Sequence, residues 1–371
     1  MLIKFLNKFA IYTICFVLIF VIYLSNIRLK VLSQSSVSNN NSTNVGYGII
    51  INKIKEEYKI VPGSYVEDSF EVIHDYDTPN LSIKLYPIAE DVEIEEGTGH
   101  PVFLGPNNKE ISITNFIEFK KEFLFLQKRG DKEKVDFKIS IPKNTPYGSY
   151  YGAIVLSEQD PRIDNNATQI GIQGRISMLV IITIVGDDIR QDISIEKVVI
   201  KDIYGNSGIF GTNLFFHQPL YFEIWIKNNG NTYVVPGGNF FIYTDNINKA
   251  IFTTDLNITN KGIANNISRI FSIEWNESFF RMKKDEKGSI YPFVDISQIN
   301  KIHIGKFNAT VKALIHNQAT KELELEEETI SFFLIPYPLL IGISVTIIVL
   351  FIVWYKWIKK KNNKKIKIIL Q

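Results

Sequence analysis

Few residues in this sequence have the types and spacing that chemistry requires. Five histidines (His74, His100, His217, His303 and His316) are scattered, with no His-x-x-x-His pair to bring two imidazoles to one metal. The single cysteine, Cys15, lies inside an apolar run, so neither an intrachain disulfide nor a cysteine-based zinc site can form. Tyr12-Thr13-Ile14 before it also lacks the small residue that precedes a lipidated cysteine. A carboxylate run, Glu90, Asp91, Glu93, Glu95 and Glu96, leads into Gly97-Thr98-Gly99-His100, with Asp75 and Asp77 on an earlier turn. Calcium loops alternate Asp and Asn ligands at defined positions; this run does not, and it reads as a solvated acidic hairpin. Glycoside cleavage would need two carboxylates at a set separation, which a sequence does not show, and strands this exposed make it the weaker reading. Nucleophile-elbow, phosphate-loop and dinucleotide patterns are absent. The expectation is a protein that is not an enzyme and holds no cofactor or metal.

Aromatic side chains are the better lead. Tyr147, Tyr150 and Tyr151 sit at and just after a Pro-Tyr-Gly turn, and Tyr221, Trp225, Phe240, Phe241 and Tyr243 gather later in the chain. Exposed rings stack on sugar faces or anchor a protein partner. Strand alternation sends about half of such rings to a core. Tyr147, Tyr150, Tyr151 and Trp225 are the candidate partner-binding residues. Eight Asn-x-Ser/Thr sequons (Asn40, Asn41, Asn80, Asn166, Asn257, Asn266, Asn276, Asn308) carry glycans only in a eukaryotic host.

The elements that must position these residues are strands. Val135, Phe137, Ile139 and Ile141 alternate with Lys134, Asp136, Lys138 and Ser140; Leu81, Ile83, Leu85 and Phe222, Ile224, Ile226 repeat the pattern. Period two over short runs marks strands buried on one face. Pro62-Gly63, Pro146-Tyr147-Gly148, Asn229-Gly230-Asn231 and Pro236-Gly237-Gly238 supply turns. Asn115–Gln127 is the best candidate for an amphipathic helix, with strand as its alternative. The nearly continuous apolar run Ile176–Val185 ends at Gly186-Asp187-Asp188 and reads as the last core strand of a first domain. The predicted architecture is an all-β ectodomain of two tandem immunoglobulin-like β-sandwiches, 46–186 and 187–332.

Membrane segments flank that ectodomain. Residues 1–33 open with two lysines, Lys4 and Lys8, before an apolar stretch and a polar end, the layout of a cleaved signal or of an uncleaved amino-terminal anchor; a polar linker, 34–45, follows. Leu334–Tyr355 is uncharged and long enough to cross the hydrocarbon core, giving a transmembrane helix over 333–355. Tyr337, Trp354 and Trp357 suit the headgroup level, and Lys359, Lys360 and Lys361 belong to a lysine-rich tail, 356–371, that the positive-inside rule assigns to the cytoplasm. The expected location is the cell membrane, with one span, or two if the amino-terminal segment is retained, and with lipid as one partner. The formal charge of +2 hides a segregation: between the two basic ends stand 30 basic and 39 acidic residues, about −9. A region this acidic does not bind nucleic acid.

The order of motifs resembles bacterial surface proteins of the WxL-interacting family. The matching residues are Tyr58-Lys59-Ile60-Val61-Pro62-Gly63-Ser64-Tyr65, Leu81–Pro87, and Val135–Pro142 leading into Pro146-Tyr147-Gly148-Ser149-Tyr150-Tyr151-Gly152. Further matches are Asn228–Thr232, Val235–Gly238, Trp275, Gly305–Ala309 and the membrane segment with its lysine tail; Tyr147, between Pro and Gly, departs from the commoner form. The resemblance implies a first domain that contacts peptidoglycan and a second that contacts another surface protein, and it carries over no active site. The function expected is binding of cell-wall polymer or partner proteins; the alternative is an envelope assembly factor that pairs with secreted chains by strand addition. A carbohydrate-active enzyme ranks below both.

Overall fold

Alternating apolar residues can be buried only if two sheets face each other, and the chain satisfies this twice. The computed structural model describes residues 48–76, 82–159, 175–209, 211–244, 249–316 and 323–369. The amino-terminal signal or anchor, the linker, Asp77 and the sequons Asn40, Asn41, Asn80 and Asn166 lie outside the described residues. One sheet of the first sandwich has the order β1 (Ile49–Ile51), β3 (Tyr65–His74), β8 (Lys132–Ser140), β6 (Ile117–Phe119). The facing sheet runs β2 (Lys55–Ile60), β10 (Arg175–Ile184), β9 (Gly148–Ser157), β4 (Ile83–Ile94), β5 (Pro101–Gly105), and β7 (Leu124–Leu126) also pairs with β4. Phe70, Leu85, Phe137, Ile139, Ile154 and Ile182 are core residues between them.

The second sandwich sets β11 (Ile193–Asp202), β13 (Leu220–Asn228) and β16 (Ser268–Trp275) against β12 (Leu214–Phe215), β20 (Leu323–Leu334), β19 (Gly305–His316), β14 (Gly237–Thr244) and β15 (Phe252–Asp255). No disulfide crosses it; aromatic packing takes that place. Trp275 is fully buried, edge-on to Phe307 at 5.6 Å and to Phe332 at 5.9 Å, while Phe222 lies 4.8 Å from Phe240. Each such ring contributes roughly 1.5–3 kcal/mol of burial. A hairpin of β17 (Phe280–Lys284) and β18 (Ile290–Val294) stands apart from both sheets. Helix α1 (Tyr337–Ile369) follows β20 after two residues.

Three local expectations change. Asn115–Gln127 holds no α-helix: a 3-10 turn at Ile113–Asn115 precedes β6 and β7, whose buried positions alternate. The last strand persists through Leu334, past the boundary expected at 332, because Phe332 and Leu334 still alternate into the core; α1 then starts at Tyr337 rather than 333. The acidic hairpin is not a solvated one throughout. Asp91 is fully buried, where its carboxylate accepts the N–H groups of Ile113 (3.0 Å) and Asn108 (2.9 Å); Glu90 is buried too, with Arg175 at 3.1 Å. A buried carboxylate that accepts backbone N–H groups is a structural peg for its loop.

Candidate binding edge and the joint between the sandwiches

Of the rings singled out in the sequence, Tyr151 and Trp225 lie at contacts between the two sandwiches, while Tyr150 packs on the first core and Phe240 in the second. Tyr150 and Tyr151 are neighbours on β9 and so point to opposite faces. Tyr150 packs edge-on to Phe116 at 6.2 Å, and its hydroxyl donates to the Pro146 carbonyl at 3.0 Å. Tyr151 is 7% exposed and faces the second sandwich, beside Val92, Val155, Ile181 and Ala264. Its hydroxyl accepts the Asn265 N–H at 3.2 Å, its ring lies 6.4 Å from that of Tyr233, and burial raises its pKa. Next to it, Ser149 Oγ accepts the Tyr233 N–H at 2.8 Å. Tyr147 lies over Gly186, where any Cβ would fall 2.0 Å from its ring.

Trp225 belongs to a second contact of the same joint. The tip of the β4–β5 hairpin adds itself to the edge of β16: the Gly97 N–H donates to Ser268 and the Ile270 N–H donates to Gly97, both at 2.8 Å. Gly97 has φ +81°, which a side chain adopts only with strain, and its Cα hydrogen side faces Trp225 and Ile270. Lys197 sits 4.1 Å above the Trp225 ring. Of the four candidate residues, Tyr151 is buried at the joint, Trp225 is half-buried beneath the hairpin tip, Tyr150 packs on the first core and Tyr147 is 37% exposed. A cleft beside them is lined by Glu93, Lys109, Tyr150, Tyr151 and Asn265. Lys109 donates to the Val92 carbonyl at 2.6 Å, and burial lowers its pKa. The histidines are apart: His217 lies 3.6 Å from Asp202, while the His303 ring packs at a tilt against Trp275, 4.8 Å away. No cluster of three His, Cys, Asp or Glu suited to a metal occurs among the described residues.

An open sheet edge is the feature that sequence reasoning missed. β20 pairs with β19 along its whole length, from Gly305 opposite Leu334 to His316 opposite Leu323, without a register shift. On its other side the only described strand that hydrogen-bonds with it is β12, at Phe333 and Leu334, and β11 also runs close to it. The Phe333 N–H donates to the Asn213 carbonyl at 2.7 Å, and Asn213 Nδ2 donates to the Ser331 carbonyl at 3.1 Å. Both N–H and C=O of a strand residue point the same way, and the direction alternates. Since Phe333 and Ser331 face outward, so do Leu325, Glu327 and Thr329, and no described strand pairs with them.

Charge marks this edge. Glu326, Glu327 and Glu328 are all exposed. Glu326 and Glu328 lie opposite Ala313 and Val311, both fully buried, so they stand on the core-facing side where the sandwich opens to solvent. Glu327 forms an ion pair with Lys312 at 3.0 Å. Among the other edges, β16 is capped by the hairpin tip and β5, which lacks charges, is shortened by a bulge at Asp91/Val92, while β11 and β2 are edge strands of mixed charge, with Glu196, Lys197 and Lys201 on β11 and Lys55, Glu56 and Glu57 on β2. The signal for β20 was present in sequence as Ile330, Phe332 and Leu334, continuing a period of two that Glu326-Glu327-Glu328 conceals.

No family model matches this sequence, and no curated protein matches it. Among solved structures it is similar to the class 5 fimbrial chaperone CfaA, at 12% identity over 75% of this chain and 98% of that one, with TM-score 0.34. A chaperone–tip adhesin complex of CFA/I fimbriae gives 14% identity, 67% and 98% coverage and TM-score 0.33. The E. coli chaperone DraB gives 9%, 77% and 96%, and TM-score 0.29. Similarity of this size assigns neither partner nor activity.

Proposed function

We propose that this chain is a non-enzymatic, membrane-anchored surface protein that holds an extended cationic segment of another polypeptide against the free edge of β20. The observation that carries it is the row of outward backbone groups at Leu325, Glu327 and Thr329, flanked by three exposed glutamates. Strand addition draws its affinity from main-chain hydrogen bonds and its specificity from side chains at alternate positions. Carboxylates on an edge repel a second copy of the same edge and blunt aggregation. They also favour a segment with Lys or Arg at matching positions over neutral or acidic ones.

Anchorage is part of the proposal. Tyr337–Ile358 is 22 residues long, apolar and unburied, and the lysines after it favour a cytoplasmic carboxy terminus with both immunoglobulin-like domains outside. A partner at β20 would then be a secreted or surface polypeptide, and assembly by strand addition is the favoured mode. Wall-polymer binding rests on the family resemblance, and of the rings that would stack on sugars Tyr151 is buried at the joint and Tyr150 packs on the first core, which leaves Tyr147 exposed.

Installing a photoreactive side chain at Leu325 in intact cells tests this. Polypeptide adducts, identified by mass spectrometry and absent when the probe sits at the exposed Ile258, are the expected result. Adducts that are mainly glycan would favour the wall, and none above the Ile258 background would sink the strand-addition reading.

A further inference from the structure

The end of the second sandwich next to α1 has a surface that strand addition does not use. Gly305 lies opposite Leu334, so the residues before Gly305 emerge on the same side as Ile335 and the helix. In that segment Ile296 is 77% exposed, Ile299 58%, Ile302 46% and Ile304 47%. Four exposed isoleucines within nine residues are more than scattered surface apolarity, and a patch of this kind marks an interaction site.

The β17–β18 hairpin stands beside them. The Met282 N–H donates to the Gln218 carbonyl at 2.6 Å, and the Tyr337 hydroxyl reaches the Met282 sulfur at 3.7 Å. Phe280, Pro292, Phe293 and Val294 form one crevice with Tyr337 and Ile341. Depth follows from this packing. Ile341 lies four residues, ~6 Å along the axis, past Tyr337. If Tyr337–Ile358 spans a bilayer, side chains against Ile341 are at or below the level where the helix goes in. The hairpin also carries Arg281, Lys283, Lys284 and Lys287 against Asp285 and Glu286, and Lys283 sits 3.6 Å above the Phe293 ring. Cations over aromatic and aliphatic groups match the layering of a membrane interface, with phosphate outside and acyl chains within.

We infer that the β17–β18 hairpin and the 296–304 loop form a collar seated in the phospholipid leaflet that α1 enters, its isoleucines among the upper acyl chains and its lysines at the phosphates. The inference rests on the membrane-spanning reading of α1. A protein partner on this surface would have to share the plane with acyl chains, whereas lipid satisfies both the apolar and the cationic parts.

The test uses the full chain with Cys15→Ser, reconstituted in phospholipid vesicles containing nitroxide-labelled lipid. Single cysteines carry an environment-sensitive fluorophore at Ile299→Cys and Ile304→Cys in the collar, Ile347→Cys in the helix, and Ile258→Cys. The last position is near Gly238 at the opposite end of the sheet. Blue-shifted, lipid-quenched emission at 299, 304 and 347, with aqueous, unquenched emission at 258, is the expected result. Quenching at 347 while 299 and 304 behave like 258 would overturn the collar and leave anchorage standing. An unquenched 347 would remove the anchorage, and the collar with it.

Discussion

At the scale of single residues, what decides a role is which face a side chain takes, and neighbours can differ completely. Glu67 and Asp68 are adjacent on β3, yet Glu67 pairs with Lys120 at the surface while Asp68 bridges to the other sheet. Asp68 accepts Lys53 Nζ at 2.9 Å, the Tyr58 hydroxyl at 2.8 Å and the Ser69 N–H at 2.7 Å. Burial alone would raise its pKa, but these hydrogen bonds outweigh burial and hold the carboxyl below its ordinary value. A carboxyl depressed in the folded state contributes stability above its unfolded pKa, ~3.9, and loses that contribution as pH falls through the folded value. Asp68→Asn is therefore expected to lower stability by ~1 kcal/mol at neutral pH, part-exposure having been discounted. The gap from the parent should close as pH falls below ~4. Urea titrations followed by far-ultraviolet circular dichroism at several pH values measure both; a gap that stays constant to acid pH contradicts the linkage. None of this was legible in the sequence, where Glu67-Asp68 is one acidic pair. The same holds for Tyr150-Tyr151: period two assigned them to opposite faces, but nothing local reveals that the outer face of β9 is covered by a second sandwich.

Elements were more legible than their edges. Alternation in β4, β8 and β13 and the nearly continuous apolar run of β10 located core strands, because a strand buried on one face keeps a period of two and one buried on both faces is apolar throughout. Pairing partners are long-range, so which edges remain open could not be read. β20 shows the difference. Its register with β19 makes a sharp contrast between adjacent residues: the Glu327 N–H faces the open edge, and the Glu328 N–H faces β19. Proline removes an N–H and is tolerated on the outward side of an edge strand but not within a ladder. Glu327→Pro should fold with little loss of stability and should lose the photo-adduct at Leu325. Glu328→Pro should cost ~3 kcal/mol, by removing a ladder bond. Thermal unfolding of the two variants compares them directly. Equal destabilisation would mean that the outward parity is misassigned, and adducts undiminished in Glu327→Pro would mean that the partner does not bind as a strand.

At the scale of the whole molecule, charge is partitioned along the chain. Lysines collect beyond the helix, and the region between the two basic ends carries about −9. In the proposed arrangement, with α1 across a bilayer and the collar at its surface, β20 climbs away from the lipid. Glu327 is seven residues before Leu334, up to ~23 Å at ~3.3 Å per residue. The Debye length at physiological ionic strength is ~8 Å, so lipid headgroup charge is screened well before it reaches this edge. Two dependences should then separate. Binding of a lysine-rich extended peptide to the reconstituted protein should weaken as salt rises, because Glu326, Glu327 and Glu328 supply the attraction, and changing all three to Gln should remove most of that salt dependence. Its affinity should be the same in neutral and in anionic nanodiscs, since the membrane field does not extend so far. Peptide titrations across both series check this. Insensitivity to salt would mean that the glutamates do not select the partner. Tighter binding on anionic lipid would mean that the peptide is held at the membrane, by the collar or by lipid itself, and not at β20.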